Sequence, residues 1–152
     1  MLLKFIKLKI KISELAKNSS DKKKTLKLMC DLLRSEIPYY DWVGFYFKNG
    51  EKKELKLGAF SGNPTDHTII PFGKGICGQV ALTNKNFVVP NVKKQKNYIS
   101  CNVNVKSEIV VPILVNGLNV GQIDIDSNRI NPFTKEDEEF LEYVCGEVST
   151  FL

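Results

Sequence analysis

The apolar positions of this chain change period several times, and each change marks an element. Residues 6–12, Ile-Lys-Leu-Lys-Ile-Lys-Ile, alternate with period 2 and read as a strand, whereas the flanking Leu15-Ala16-Lys17 reads as helix. Both patterns coexist over the first 17 residues. Asn18-Ser19-Ser20-Asp21 is a break with N-cap chemistry. Leu26, Met29, Cys30, Leu33 and Ile37 then recur at helical spacing, and Pro38 ends that helix. Asp41 to Phe47 is an apolar and aromatic strand. Asn49-Gly50 is a tight hairpin signal, and Glu54 to Phe60 is the returning strand.

A polar loop, Ser61 to His67, follows. Gly75 to Thr83 reads as a short helix opening at a glycine-rich turn, and Phe87-Val88-Val89 as a short strand. Residues 91–106 form a long polar loop, a length that usually carries function. Glu108 to Val115 is a buried strand, Asn116-Gly117 repeats the hairpin signal, and Val120 to Asp126 returns. Thr134 with Asp137 three residues on is a capping-box variant. It opens a helix whose apolar face holds Phe140, Leu141, Val144, Cys145, Val148 and Phe151. The order predicts an α+β fold, a central antiparallel sheet with helices packed against it. The expected organisation is a basic N-terminal segment, 1–19, and one domain over 20–152, with no internal repeat.

Composition narrows the classes. An apolar share of 43% in 152 residues supports a folded core. No apolar run approaches the roughly 20 residues of a bilayer span. The lysine-broken N-terminus is a poor secretory signal, so a cytoplasmic location is expected. Nine lysines against Glu14 and Asp21 give residues 1–27 a net +7, so the rest carries −2 of the overall +5. The basic excess is local and reads as a solvated lysine face, with neither a nucleic-acid nor a membrane partner expected.

Four cysteines, no C-x-x-C pair and the single His67 make a zinc site unexpected, so no metal is assigned. Cys30 and Cys145 lie on helical apolar stripes and read as inert core thiols. Cys77 follows Gly73-Lys74-Gly75. A helix starting there, together with Lys74, would lower its pKa. Cys101 lies in the long polar loop, a setting that suits a reactive thiol. Asp124 and Asp126 are two apart on one strand and share a face, with Ile123 and Ile125 on the other. Glu108, across the Asn116-Gly117 hairpin, can join that face. Converging carboxylates attract an ammonium group, and one of them can hold a proton near neutral pH and act as an acid. Trp42 and Tyr46 share a strand face and form packing or an aromatic wall.

These motifs together resemble a known family. Asp41-Trp42-Val43-Gly44-Phe45-Tyr46, Gly73-Lys74-Gly75-Ile76-Cys77-Gly78, Ile99-Ser100-Cys101, Ser107-Glu108-Ile109-Val110-Val111-Pro112, Asp124-Ile125-Asp126-Ser127 and Asn131-Pro132-Phe133 closely resemble the free methionine-(R)-sulfoxide reductases, single-domain enzymes of the GAF fold. The resemblance covers about residues 20 to 150. It implies reduction of free L-methionine-R-sulfoxide to L-methionine in the cytoplasm, as a defence against oxidative stress. Cys101 matches the nucleophile, which becomes a sulfenic acid. Cys77 matches the resolving cysteine, which closes an intramolecular disulfide. Thioredoxin or another dithiol supplies the reducing equivalents, and no cofactor is implied.

Glu108, Asp124 and Asp126 match the acids that hold substrate, and Trp42 and Tyr46 match the wall around its S-methyl group. Members often pair, so a homodimer is an expectation. His67 stands where many members carry a third cysteine, and Asn102 where Asp often follows the nucleophile. The competing reading is a GAF-type ligand-binding or redox-sensing module without turnover. The enzyme reading further expects the two sulfurs to face an acid-lined cavity sized for one amino acid.

Overall fold

The computed structural model describes residues 2–96, 98 and 103–152. In chain order the elements are α1 (Leu2–Lys17), α2 (Lys22–Glu36), β1 (Trp42–Lys48), β2 (Glu54–Ser61), β3 (Ile69–Pro71), α3 (Gly75–Thr83), β4 (Phe87–Val89), β5 (Ser107–Val115), β6 (Leu118–Ser127) and α4 (Lys135–Ser149). The six strands form one sheet in the order β3-β2-β1-β6-β5-β4, and every adjacent pair is antiparallel. Among the described residues, no helix is long and apolar enough to cross a membrane.

The first 17 residues resolve to helix. An alternation of period 2 also contains the spacing of four, so Leu8, Ile12 and Ala16 fall on one helical face with Phe5. All four are buried there, while Leu2, Leu3, Ile6 and Ile10 stay exposed. The strand reading of 6–12 fails because the buried face extends beyond the alternating run at both ends. Phe5 stacks on Phe140 of α4, ring centroids 4.7 Å apart, so α1 belongs to the same core as the rest.

Other expectations hold with adjustments. Asp21 caps α2, and its side chain accepts from the Lys24 backbone N–H. Thr134 and Asp137 form the capping box of α4. Asn116 and Gly117 make a two-residue hairpin with φ of 53° and 78°, the positive values such a turn requires. The Asn49-Gly50 signal does not give a two-residue turn: residues 49–53 form a longer loop, closed by Asn49 N–H donating to Glu54 O at 3.1 Å. The polar run Glu51-Lys52-Lys53 offers nothing to bury, so it stays in the loop. β3 was not anticipated, because Ile69-Ile70 directly follows a polar loop and the strand ends on Pro71, a residue that argues against a strand.

The sheet has two unlike faces. One packs against α1, α2 and α4 and holds Val43, Phe45, Ile109, Ile123 and Ile125 in the main core. The opposite face carries Trp42, Tyr46 and Val110, and α3 packs on it through Ile76, Cys77 and Val80. Asp124 and Asp126 alternate with the two isoleucines and therefore lie on the α3 side.

Candidate active site

The site is built on the α3 side of the sheet, where β5 and β6 turn polar side chains inward. Register brings Glu108 opposite Asp126, and Val110 opposite Asp124. β1 runs along the other edge of β6, with Trp42 opposite Asp126, Gly44 opposite Asp124 and Tyr46 opposite Gln122. The three acids are buried, at 6%, 2% and 2% relative exposure for Glu108, Asp124 and Asp126. Burying ionised groups is costly unless each is paired. Yet one oxygen each of Gln122, Asp124 and Asp126 is buried without a hydrogen-bond partner. A row of unanswered acceptors along one strand is a poor way to stabilise a fold and a good way to receive a donor.

α3 brings the thiol. Gly73 and Gly75 have φ of 88° and 64°, values that favour glycine, and their turn swings the chain onto the sheet. Gly78 lies so close to that turn that a Cβ would stand 2.7 Å from Pro71 O. Cys77 is thereby buried, with Sγ 4.0 Å from Glu108 Oε2. Its backbone carbonyl accepts from Gln122 Nε2 at 2.9 Å. Cys77 Sγ and one oxygen each of Glu108 and Asp124 all lie within 4.8 Å of one another.

The electrostatics reverse one expectation. The Cys77 thiol is pushed well up, first by burial and then by the negative charge of Asp124 and Glu108. The helix terminus does not win, because a thiolate here would be dry and would face two carboxylates. Lys74 is exposed and leaves that penalty in place. The Asp124 carboxyl is also raised by burial, against the opposing effect of hydrogen bonds with Glu108 and Cys77. Asp126 is raised well above the usual carboxylate range by burial and by Asp124 beside it.

The aromatic side is equally fixed. Trp42 donates Nε1–H to Asn63 O at 3.0 Å and stacks on Phe60 with centroids 5.7 Å apart. Tyr46 lies 6.4 Å from Trp42 and donates its hydroxyl to His67 O at 2.9 Å. Gly44, between them on the same strand face, leaves the space that the indole occupies.

The fold therefore gathers Trp42, Tyr46, Cys77, Glu108, Asp124 and Asp126 on one face. His67, half-buried, lines the same cavity as Tyr46, Cys77, Glu108 and Asp124. The space between these described residues measures about 20 Å³; the expected amino-acid-sized cavity has Cys101 on its other wall, beyond the described residues. Cys101 lies outside the described residues. Cys30 and Cys145 are buried core thiols, as their helical positions implied, and burial raises the pKa of both. Gln122 was overlooked. Its signal was available: it continues the even-numbered alternation of Asp124 and Asp126 on β6.

A six-stranded antiparallel sheet with α3 folded over a polar cavity defines a GAF domain, and residues 19–152 match the GAF domain family. Relatives include the free methionine-R-sulfoxide reductase of Escherichia coli, 33% identical over 80% of this chain and 72% of its own length. The yeast (Saccharomyces cerevisiae) enzyme of that name is 44% identical over 67% of this chain, a match that spans 57% of its length. Among solved structures, the free methionine-R-sulfoxide reductase of Neisseria meningitidis in complex with its substrate superposes with a TM-score of 0.91. It is 29% identical, over 96% of this chain and 86% of that one. The fRMsr of Staphylococcus aureus in complex with substrate gives 0.88 at 35% identity, over 97% and 95%. The chain belongs to the free methionine-R-sulfoxide reductase family.

Proposed function

We propose that the protein reduces free L-methionine-R-sulfoxide to L-methionine by thiol chemistry. The observation that carries this reading is a pair of carboxyls, Asp124 and Asp126, held by burial above their usual range beside Cys77 and an aromatic wall. A carboxyl that keeps its proton near neutral pH is a general acid. It would protonate the sulfoxide oxygen as the Cys101 thiolate attacks the sulfur. Methionine leaves, and Cys101 becomes a sulfenic acid. Cys77 then condenses with it, releasing water and forming a disulfide that thioredoxin or another dithiol reduces.

The division of labour follows from charge. Cys77, dry and beside two acids, is poor at forming a thiolate and is unsuited to open the reaction. It serves as the second thiol, which leaves the nucleophile's role to Cys101. The unpartnered oxygens on β6 suit the substrate ammonium or the protonated sulfoxide oxygen, and Trp42 and Tyr46 suit the S-methyl group.

The test is stereospecific turnover. With dithiothreitol and racemic free methionine sulfoxide, the protein should consume only the R form. Cys101→Ser should abolish consumption. Cys77→Ser should allow one turnover and block thioredoxin-driven cycling. Consumption of neither form would leave a GAF module that binds without turnover, and full activity in Cys101→Ser would show that the nucleophile is misassigned.

A further inference from the structure

Cys77 Sγ, a Glu108 oxygen and an Asp124 oxygen are all within 4.8 Å of one another, and all three residues are buried. One thiol and two carboxylates at that separation form a donor set for a small thiophilic cation. An ion bound at about 2.3 Å to sulfur and about 2.0–2.2 Å to oxygen requires donor separations of about 3.5 Å. The Sγ to Glu108 Oε2 distance of 4.0 Å is already near that value. The space between these residues, about 20 Å³, fits a bare ion.

A second observation points the same way. Asp124 is 2% exposed and lines this cavity, and its Oδ1 has no hydrogen-bond partner. Among the described residues, the ion pairs Lys27–Asp31 and Lys135–Glu138 lie on the helix surfaces, and Asp124 takes part in neither. Lys74 lines the same cavity, but among the described residues Asp124 forms no ion pair with it.

We propose that this cavity binds one thiophilic divalent cation of the Zn2+ class through Cys77 Sγ, Glu108 and Asp124, and that the bound ion blocks the site. Binding breaks the Cys77 S–H bond and the O–H bond of the proton that Asp124 holds, and forms sulfur–metal and oxygen–metal bonds. Both protons leave to solvent, and nothing is oxidised or reduced. Three protein ligands leave a fourth coordination position open. The soft thiolate selects Zn2+, Cd2+ and Co2+ over Mg2+ and Ca2+, which prefer six or more oxygens. Binding stands on the geometry alone, while the block on turnover rests on the reductase reading above.

The experiment uses the whole reduced protein titrated with Co2+, followed by the near-ultraviolet thiolate-to-cobalt charge-transfer band, with Zn2+ as competitor. A saturable band at one equivalent is expected, displaced by Zn2+ and untouched by millimolar Mg2+ or Ca2+. Cys77→Ser should lose it, whereas Cys30→Ser and Cys145→Ser should keep it. Asp124→Asn should keep the band but weaken binding by at least about tenfold, which separates ligand loss from unfolding. Zn2+ should stop methionine sulfoxide turnover, and chelation should restore it. A protein that turns over substrate yet gives no band overturns the metal site and leaves the reductase reading intact. A band without turnover under any condition upholds the site and removes that reading. A band that survives Cys77→Ser overturns the assignment, whichever other thiol carries it.

Discussion

Replacing Asp126 by Asn should stabilise the protein while disabling it. Asp126 is 2% exposed, its Oδ1 has no partner, and the Asp124 carboxyl lies on the same strand face. An unsatisfied buried polar group costs about 1–3 kcal/mol. The charge penalty has a ceiling, because the group can always escape by keeping its proton. Holding a proton at pH 7 on a carboxyl with an unfolded pKa of about 3.9 costs at most about 4 kcal/mol, at 1.36 kcal/mol per pH unit. The neutral isostere removes the second cost and part of the first, so a gain of about 1–4 kcal/mol is expected. For a chain of this length that is about 2–4 °C in Tm per kcal/mol.

The sign with pH follows from the raised carboxyl. Below the ordinary carboxylate range both proteins are neutral at this position, and only the pH-independent hydrogen-bonding difference separates them. As pH rises through that range, the unfolded wild type releases a proton that the folded state keeps, so the wild type loses ground to Asp126→Asn. Urea unfolding of the reduced proteins from pH 4 to 8 measures this difference. Turnover of racemic methionine sulfoxide should fall at least about a hundredfold in the variant, the scale of losing one preorganised group that acts on developing charge. A variant less stable than wild type by more than about 1 kcal/mol at pH 7 would refute the reasoning. It would show that Asp126 is satisfied and structural.

Further predictions test the surrounding frame. Asp137 is fully buried and accepts from the Tyr39 and Tyr40 hydroxyls at 2.8 Å each, and from Thr134 N and Oγ1 at 2.8 and 3.0 Å. Asp137→Ala should cost about 2–5 kcal/mol in urea unfolding, from an orphaned Tyr40 hydroxyl plus a lost cap, and Tyr40→Phe less than about 2. Gly44→Ala would put a Cβ 2.3 Å from Trp42 Cη2, so the indole must move. Its kcat/KM should fall by about tenfold or more, with thermal unfolding reporting the packing cost separately. A chain starting at residue 20 loses the burial of Phe5, Leu8 and Ile12, each worth about 1.5–3 kcal/mol. It should lose about 5 kcal/mol or more by chemical denaturation, against a typical total of about 5–15.

β1 and β5 were legible as short apolar runs bounded by turn signals, since both of their faces are buried, and β6 shows period 2 from Gln122 to Asp126. Asp124 and Asp126 could be placed on one face, opposite two isoleucines, from that period alone. Glu108 was expected across the Asn116-Gly117 hairpin, but the two-residue turn alone would pair it with Ile125; the register shift between Ile113 and Leu114 is what brings it opposite Asp126. What the sequence hid was hidden for physical reasons. α1 was ambiguous because alternation and a spacing of four overlap. β3 follows a polar loop and ends on Pro71. The Cys77 thiol was misjudged because its neighbours along the chain, Lys74 and a helix start, are cationic in character. Its neighbours in space, Asp124 and Glu108, are acids 47 and 31 positions away, and they and burial dominate.

That contrast explains how one sheet can serve both fold and site. β6 carries isoleucines toward three helices and polar side chains toward one short helix, so the two faces are separated by a single residue of register. A one-residue slip would turn Asp124 and Asp126 into the main core and Ile123 and Ile125 into the cavity. Burying two carboxyls among aliphatic side chains would cost several kcal/mol each, a large share of the whole stability of such a domain. The acids therefore help to hold the register that the site requires, because the alternative is far worse than their present strain. Their discomfort on the α3 side is tolerable because three helices bury the opposite face so completely, and it is this tolerated discomfort that raises the Asp124 and Asp126 carboxyls beside a thiol.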